Sequence, residues 1–418
     1  YGHLLSQQYR AQMNFNKILG HTIIYMIAGG EMRELSRKSN GYRQYGVSSD
    51  NLSFSEVDYV NNYPVLVPGS TSLIPQNSFL NDKTQRFVSG FANASITYQN
   101  KYSVSLSARS DASNLYGVKT NDKWNPFWSV GAGWVISNEP NYPLLFMEYL
   151  KLRATFGYNG NADPNRPAVT TIAYRGKSIY TQSPYAVFDN YANPELRWER
   201  AAQLNTGLDF SMFGRRFWGS FEFYKKYNSD LIAGVAIDYT SGVNFINKNY
   251  YDMEGTGLDL ELNTNNIERA VKWTTKLNIS YYSDKAKNFG GKGSDNGAGF
   301  IAYGSPIGMD GKPIYGLYAF TWAGLDPQSG DPRGFLNGEV SKDYSGIFEN
   351  TKARDLIYIG SSMPTVFGNI DNTVGYRGFS FSIGLLFKFR YYFQKESISY
   401  SNLFSSGLGH IDYANRWK

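Results

Sequence analysis

A two-residue alternation, sustained over unusually long stretches, constrains this chain more than anything else in it. From Lys101 to Arg109 the residues Tyr102, Val104, Leu106 and Ala108 interleave with Ser103, Ser105, Ser107 and Arg109. Successive side chains of a strand point to opposite faces, so one face is apolar and the other hydrophilic. Between Phe87 and Tyr227 the same unit recurs as alternating stretch, turn, alternating stretch. Strands of soluble sandwiches run about five or six residues. These run about nine to twelve, the reach a tilted strand needs to cross a bilayer. The pattern predicts an all-β fold: a transmembrane antiparallel up-and-down β-barrel, apolar outside and wet inside.

A length of 418 residues accommodates one large barrel or two or three ordinary domains. A mean hydropathy of −0.42 and the lack of any long apolar run argue against transmembrane helices. A barrel stays open, because alternation dilutes the hydrophobic signal of each strand. Aromatic residues make up 17%, with 34 Tyr against 8 Trp, which fits the girdles of outer-membrane barrels. A sugar-binding β-protein also enriches Tyr and Trp, so composition alone does not separate the two.

There is no cysteine, hence no disulfide scaffold, thiolate zinc site or Cys nucleophile. The net charge of +6 would suit an anionic surface such as lipopolysaccharide or phospholipid, but it is thinly spread. The basic residues form no stripe or finger, so nucleic acid is not an expected partner. Tyr1-Gly2-His3-Leu4-Leu5 leads directly into a polar strand without a signal peptide. An exported protein with this start is expected to be either a mature chain or a fragment.

Strands are predicted over 7–18, 22–32, 87–99, 101–110, 127–137, 150–159, 201–213, 216–227, 250–263, 271–284, 314–324, 366–376 and 379–390. Short links at Leu19-Gly20-His21, Asn100-Lys101, Phe213-Gly214-Arg215 and Tyr376-Arg377-Gly378 alternate with long segments at 33–86, 111–126, 160–200, 228–249, 285–313 and from 391. That alternation marks a barrel with tight turns at one end and extended loops at the other; a propeller or jelly roll would not sort its loops this way. Parity requires one more strand between 314–324 and 366–376, for which Gly334 to Val340 is the best candidate. The count is then about fourteen. Pro140 to Leu150 is the one stretch suited to a short helix or ordered wide turn.

Several motifs go beyond a generic barrel. They run from Ala28-Gly29-Gly30-Glu31 and Arg109-Ser110-Asp111-Ala112-Ser113 to Trp124-Asn125-Pro126-Phe127-Trp128, Asn193-Pro194-Glu195-Leu196-Arg197-Trp198-Glu199 and Gly255-Thr256-Gly257-Leu258-Asp259. Gly324-Leu325-Asp326-Pro327-Gln328-Ser329-Gly330-Asp331-Pro332 and Asp412-Tyr413-Ala414-Asn415-Arg416-Trp417 complete the series. In this order the chain resembles the barrel of the SusC/RagA family of TonB-dependent outer-membrane transporters. The resemblance implies residues 1–418 are part of a single 22-stranded barrel, with plug domain, TonB-contacting segment and further strands outside this sequence. It implies a SusD-like surface lipoprotein as lid, TonB as energy relay, outer-membrane lipid as surroundings, and a dimer of transporter–lipoprotein pairs. The compartment would be the outer membrane of a Gram-negative, Bacteroidetes-type bacterium, and the cargo oligosaccharide or peptide.

Enzyme chemistry finds little support. His3, His21 and His410 lie far apart, and no nucleophile elbow, P-loop or dinucleotide fingerprint is present. Asp326 to Asp331 fails the ligand spacing of an EF-hand. Asp259 and Glu261, two apart on a strand, are expected to face a solvated lumen. No catalytic residue, metal or cofactor is expected. Candidate substrate contacts are the loop aromatics Trp124, Trp128, Tyr174, Tyr180, Tyr185, Phe188 and Tyr191, whose flat rings stack on sugar faces or peptide side chains. Girdle or loop packing is the competing role for each, and Trp128 in particular opens a strand. Arg109, Asp111 and Asn114 suit contact with polar substrate or with a plug. The alternatives to active import are a passive porin or adhesin-type barrel and a soluble carbohydrate-binding β-protein.

Overall fold

The computed structural model describes residues 1–418 except 67–68, 76–77, 117–123, 167, 179, 182, 239, 241–242, 244, 289–295, 302–308 and 416–418, and the side chains of 175–177. The glycine-rich residues 290–297 and the terminal Arg416-Trp417 fall largely or wholly outside the described residues.

Twelve strands form one antiparallel sheet, each paired with its neighbours in the order of the chain. They are β1 (Gly2–Leu19), β2 (Thr22–Gly41), β3 (Phe79–Tyr98), β4 (Tyr102–Ser113), β5 (Trp124–Val135), β6 (Tyr149–Asn161), β7 (Glu199–Met212), β8 (Phe217–Ala236), β9 (Phe245–Glu268), β10 (Val271–Lys287), β11 (Val366–Tyr376) and β12 (Phe379–Phe389). No helix among the described residues is long and apolar enough to cross a membrane.

The register carries the alternation across the sheet. Leu262 pairs with Leu277, Leu277 with Ile370, and Ile370 with Leu385, so these four side chains share one face. One residue along, Glu261, Asn278, Asn369 and Leu386 share the other. In β12 the apolar face is Phe379, Phe381, Ile383, Leu385, Phe387 and Phe389, and the opposite face begins Ser380, Ser382, Gly384. A slip of one residue anywhere would exchange the faces, so the register is tightly specified. Asp259, paired with Glu222, lies on the polar face as expected.

Short connections gather at one end. The β3–β4 turn places Gln99 and Asn100 at φ 53° and 55°, and the β11–β12 turn places Arg377 and Gly378 at 45° and 88°. Two successive positive φ angles match the twist of flanking strands. The β5–β6 link is an ordered wide turn. Its only helical part is a 3-10 turn at Ile136–Asn138, N-terminal to the Pro140–Leu150 stretch, and Phe146 stacks on Phe213 of the next turn at 5.6 Å. Beside it Glu139 accepts from Tyr102 at 2.5 Å, Trp134 at 2.9 Å and Lys101 at 3.3 Å. These hydrogen bonds, that from Tyr102 foremost, hold its carboxyl below the usual range.

Two predicted strands are absent from the sheet. Residues 314–324 contribute only Gly316–Ala319, paired with Ile357–Ser361, while Gly334–Leu336 pairs with Glu339–Ser341 in a small hairpin turned by Asn337-Gly338. Four and three residues are too short to span the apolar band. Both belong to the long β10–β11 excursion, and losing one strand of each direction leaves the parity intact. Among the described residues the wall therefore has twelve strands rather than fourteen, and its class is unchanged. Several strands also outrun prediction at the long-loop end: β3 begins at Phe79 and β9 at Phe245.

Within the excursion Asp326 accepts backbone N–H bonds from Gln328 at 2.9 Å and Ser329 at 3.1 Å, and Lys342 bridges it to Asp331 at 3.2 and 3.3 Å. The Gln328 and Ser329 amides, with Lys342, hold the Asp326 carboxyl down at about 2. Because the folded value lies below the ordinary one, this clasp is fully present above about pH 4 and is lost as pH falls toward 2. Pepsin should therefore cleave within 326–342 of the wild-type protein at pH 2 and spare it at pH 4. Asp326→Asn should be cut at both, and equal protection of the variant at pH 4 would sink the assignment.

Candidate functional site

At the long-loop end β8 and β9 continue beyond the wall, with Leu231–Ala236 paired to Phe245–Tyr251 after an irregularity at Asn228–Leu231. A hairpin of Thr171–Lys177 and Pro184–Asn190 leans beside them. The Asn193-to-Glu199 motif fastens the two. Asn193 donates to the Asn247 carbonyl at 2.8 Å, Asn249 donates to the carbonyls of Arg197 and Asp230, and Glu199 accepts from the Ile232 amide and from Asn161, both at 2.9 Å. Between these bonds Leu196 and Trp198 are buried with Tyr116, Ala168 and Ile232 in a small core, and Phe127 packs on Trp198 at 5.8 Å. Tyr116 exchanges hydrogen bonds with the Asp163 backbone, and burial pushes its hydroxyl up to about 12.

This core supports a cavity of about 1010 Å³, lined among others by Asn81, Lys83, Asn165, Arg166, Asp189, Asn190 and Asn247, with Phe245 as its aromatic wall. A cleft of about 210 Å³ adjoins it, sharing Asp189, Asn190 and Phe245 and adding Phe188 and Tyr191. The carboxamides are held in place: Lys83 donates to Asn165 at 2.9 Å, Asn247 to Asn190 at 2.7 Å, and Asn190 to the Val169 carbonyl at 2.8 Å. Arg166 pairs with Asp163 at 3.4 Å and donates to the Ile232 carbonyl. Such a lining offers fixed donors and acceptors of both charges beside flat rings. It suits a polar oligomer rich in hydroxyl or amide groups and offers little to an apolar small molecule. Among the described residues no three potential metal ligands converge.

Further down, on the polar face, Arg153 contacts Asp209 at 3.2 Å and also Glu222, which accepts from Asn205 at 3.0 Å. Tyr224 and Tyr282 stack at 6.4 Å across Gly257, where a Cβ would lie only 2.2 Å from the Tyr224 ring. That close approach accounts for the glycines of the Gly255-Thr256-Gly257 motif.

The sequence model described as "TonB dependent receptor-like, beta-barrel" matches residues 5–317. The chain belongs to that family. It is 28% identical over 350 residues to TonB-dependent receptor P39 of Formosa agariphila, covering 74% of this chain and 33% of the relative. To TonB-dependent receptor SusC of Bacteroides thetaiotaomicron it is 25% identical over 309 residues, 69% of this chain and 28% of the relative. The chain thus spans about a third of the curated relatives it matches. A structure of the RagAB peptide transporter superposes with a TM-score of 0.73 at 20% identity, covering 92% of this chain and 41% of that one, a likeness of fold.

Within this receptor barrel the predicted contacts separate. Trp124 pairs with Ala112, and Trp128 with Ala108 and Tyr158, all on the apolar face, where Trp128 packs on Phe156 and Tyr158. Both tryptophans thus stand on the apolar face, the placement expected of the girdle role. Asn114 is a clasp: it accepts from the Arg86 amide and donates to the Thr84 carbonyl. Arg109 and Asp111 lie on the polar wall, 2.6 Å apart, with Arg109 also donating to Ser89 at 2.7 Å. Phe188 and Tyr191 meet edge to face at 6.0 Å in the cleft. Tyr174, on the same hairpin, is 81% exposed, Tyr180 sits 89% exposed near the hairpin tip, and Tyr185 is less open at 46%. Sequence reasoning missed Lys83, Asn165, Arg166, Asp189, Asn190, Phe245 and Asn247. The run Phe79-Leu80-Asn81-Asp82-Lys83-Thr84-Gln85-Arg86 carries no apolar alternation that could have flagged the first of them.

Proposed function

We propose that this chain forms part of the wall of an outer-membrane transporter of a Bacteroidetes-type bacterium that imports oligomeric nutrients, oligosaccharides or peptides. TonB drives the import, and a SusD-like lipoprotein closes the mouth; the role is binding and gating, without catalysis. The carrying observation is a two-faced wall whose long-loop end holds a carboxamide-lined cavity with Phe245 in its wall and Phe188 and Tyr191 in the adjoining cleft. The likeness to TonB-dependent receptor SusC supports a transporter of this family, and the structure it resembles in fold is described as a peptide transporter. Phe188, Tyr191, Tyr174, Tyr185 and Tyr180 are proposed to guide cargo, with Arg109 and Asp111 further along the path. Pairs of transporter and lid associating as dimers fit the same reading.

Uptake by cells lacking the endogenous receptor provides the test. The wild-type receptor should restore TonB-dependent import of one oligomer class. A Lys83→Ala/Asp189→Ala receptor should need at least about tenfold more cargo for half-maximal uptake, since two charged lining groups are gone. Import that persists without TonB would replace active transport with passive diffusion.

A further inference from the structure

On the apolar face the sheet changes character at its long-loop rim. Phe221 and Phe223 of β8, Leu258 and Leu260 of β9, and Ile279 and Tyr281 of β10 form the top of the apolar band. Immediately above, on that same face, Lys225 pairs with Thr256 and Thr256 with Ser283; the next pairs are Glu254 with Lys285 and Asp252 with Lys287. Lys225 and Lys287 reach Glu254 at 4.0 and 3.8 Å, the outer limit of an ion pair, with side chains 54% and 43% exposed. Among the described residues Lys285 has no ion pair, and the Thr256 and Ser283 hydroxyls make no side-chain hydrogen bond. Asp252 is committed elsewhere, accepting from Tyr227 at 2.8 Å, Asn288 at 2.7 Å and the Asp230 amide at 3.2 Å. Two ammonium groups therefore share one loosely held carboxylate and a third stands beside them without an ion pair, directly over a hydrocarbon-facing surface.

We propose that Lys225, Lys285 and Lys287, with the hydroxyls of Thr256 and Ser283, bind the phosphate of an outer-leaflet glycolipid. Lys225 and Lys287, on the strands flanking β9, both reach Glu254, and Lys285 pairs directly with Glu254 across the ladder, so three flexible lysine stems can converge on one phosphate. Lysine stems lie along apolar surface while their heads stay in the polar layer. A compact ammonium is a suitable phosphate partner, and basic clusters beside a membrane attract its anionic headgroups. A lipid is favoured over free phosphate by position: acyl chains of the same molecule would lie on Phe223, Leu258 and Ile279 just below. Glu254 moderates the site by competing for two of the three lysines. The inference rests on the outer-membrane reading above.

The test uses the complete receptor in nanodiscs of phosphatidylcholine with or without monophosphoryl lipid A, extracted into mild detergent and weighed by native mass spectrometry. Wild-type protein is expected to retain monophosphoryl lipid A, Lys225→Gln/Lys285→Gln/Lys287→Gln to retain it at least about tenfold less, and Glu254→Gln to retain it more strongly. Equal retention by the triple variant, or equal retention of the dephosphorylated glycolipid, would overturn the site. Release by millimolar inorganic phosphate, with no dependence on acyl chains, would assign it to free phosphate and overturn the lipid. Heat-modifiable gel migration separates the two readings. A wild-type protein with the shift but no lipid preference defeats this site alone, whereas one without the shift defeats the membrane wall and this site together.

Discussion

Leu277→Arg is expected to lower the folding stability of the complete receptor in lipid vesicles by about 2–4 kcal/mol, the cost of a cation near the middle of a lipid-facing strand. Leu277 lies six residues above the β10 turn end, flanked by Leu262 and Ile370 on the apolar face. Ser280→Arg, three residues along and on the opposite face between Asp259 and Phe367, is expected to change stability by less than about 0.5 kcal/mol, because it enters a solvated and partly acidic lining. Denaturant titration in vesicles measures both. Equal costs at the two positions would mean that the faces are misassigned, and with them everything inferred about lumen and lipid.

This contrast also shows why the wall was legible in the sequence and the mouth was not. In the wall each residue's environment is set by one variable, its parity along a strand, and parity is written directly in stretches such as 379–390. Tight turns are equally local, since two residues with positive φ suffice to make them. The mouth depends on contacts distant in sequence: Asn193 meets Asn247, Arg197 meets Asn249, and Lys83 meets Asn165. Nothing in the spacing of these residues announces such pairs. Aromatic content was ambiguous in the same region. Trp124 and Trp128 stand beside a long loop in sequence, yet pairing with Ala112 and Ala108 turns them to the lipid side, while Phe127 between them turns inward to Trp198. Residues 314–324 misled for another reason: their alternation is real but stops after four paired residues, enough for a loop ladder and too little for a wall.

Trp198→Ala should produce the other large effect, confined to the mouth. The indole is 6% exposed, packs on Phe127, and shares its core with Leu196 and Tyr116. Truncating a buried tryptophan removes its transfer free energy and leaves a cavity, a cost of about 3–5 kcal/mol. The core holds few other fully buried side chains, so a loss of that size should release the 162–198 segment and with it the walls of the adjoining cavity. Strands β4 to β9 keep their own ladders and apolar face, so the wall should be untouched. The expected result is rapid proteolysis within 162–198 and loss of cargo binding, with the heat-modifiable migration of the barrel preserved. If migration is lost as well, the mouth and the wall fold as one cooperative unit, and the cavity cannot be treated as a module set on an independent scaffold. If neither changes, Trp198 is not the keystone that its burial indicates, and the Asn193-to-Glu199 hydrogen bonds alone hold the loop.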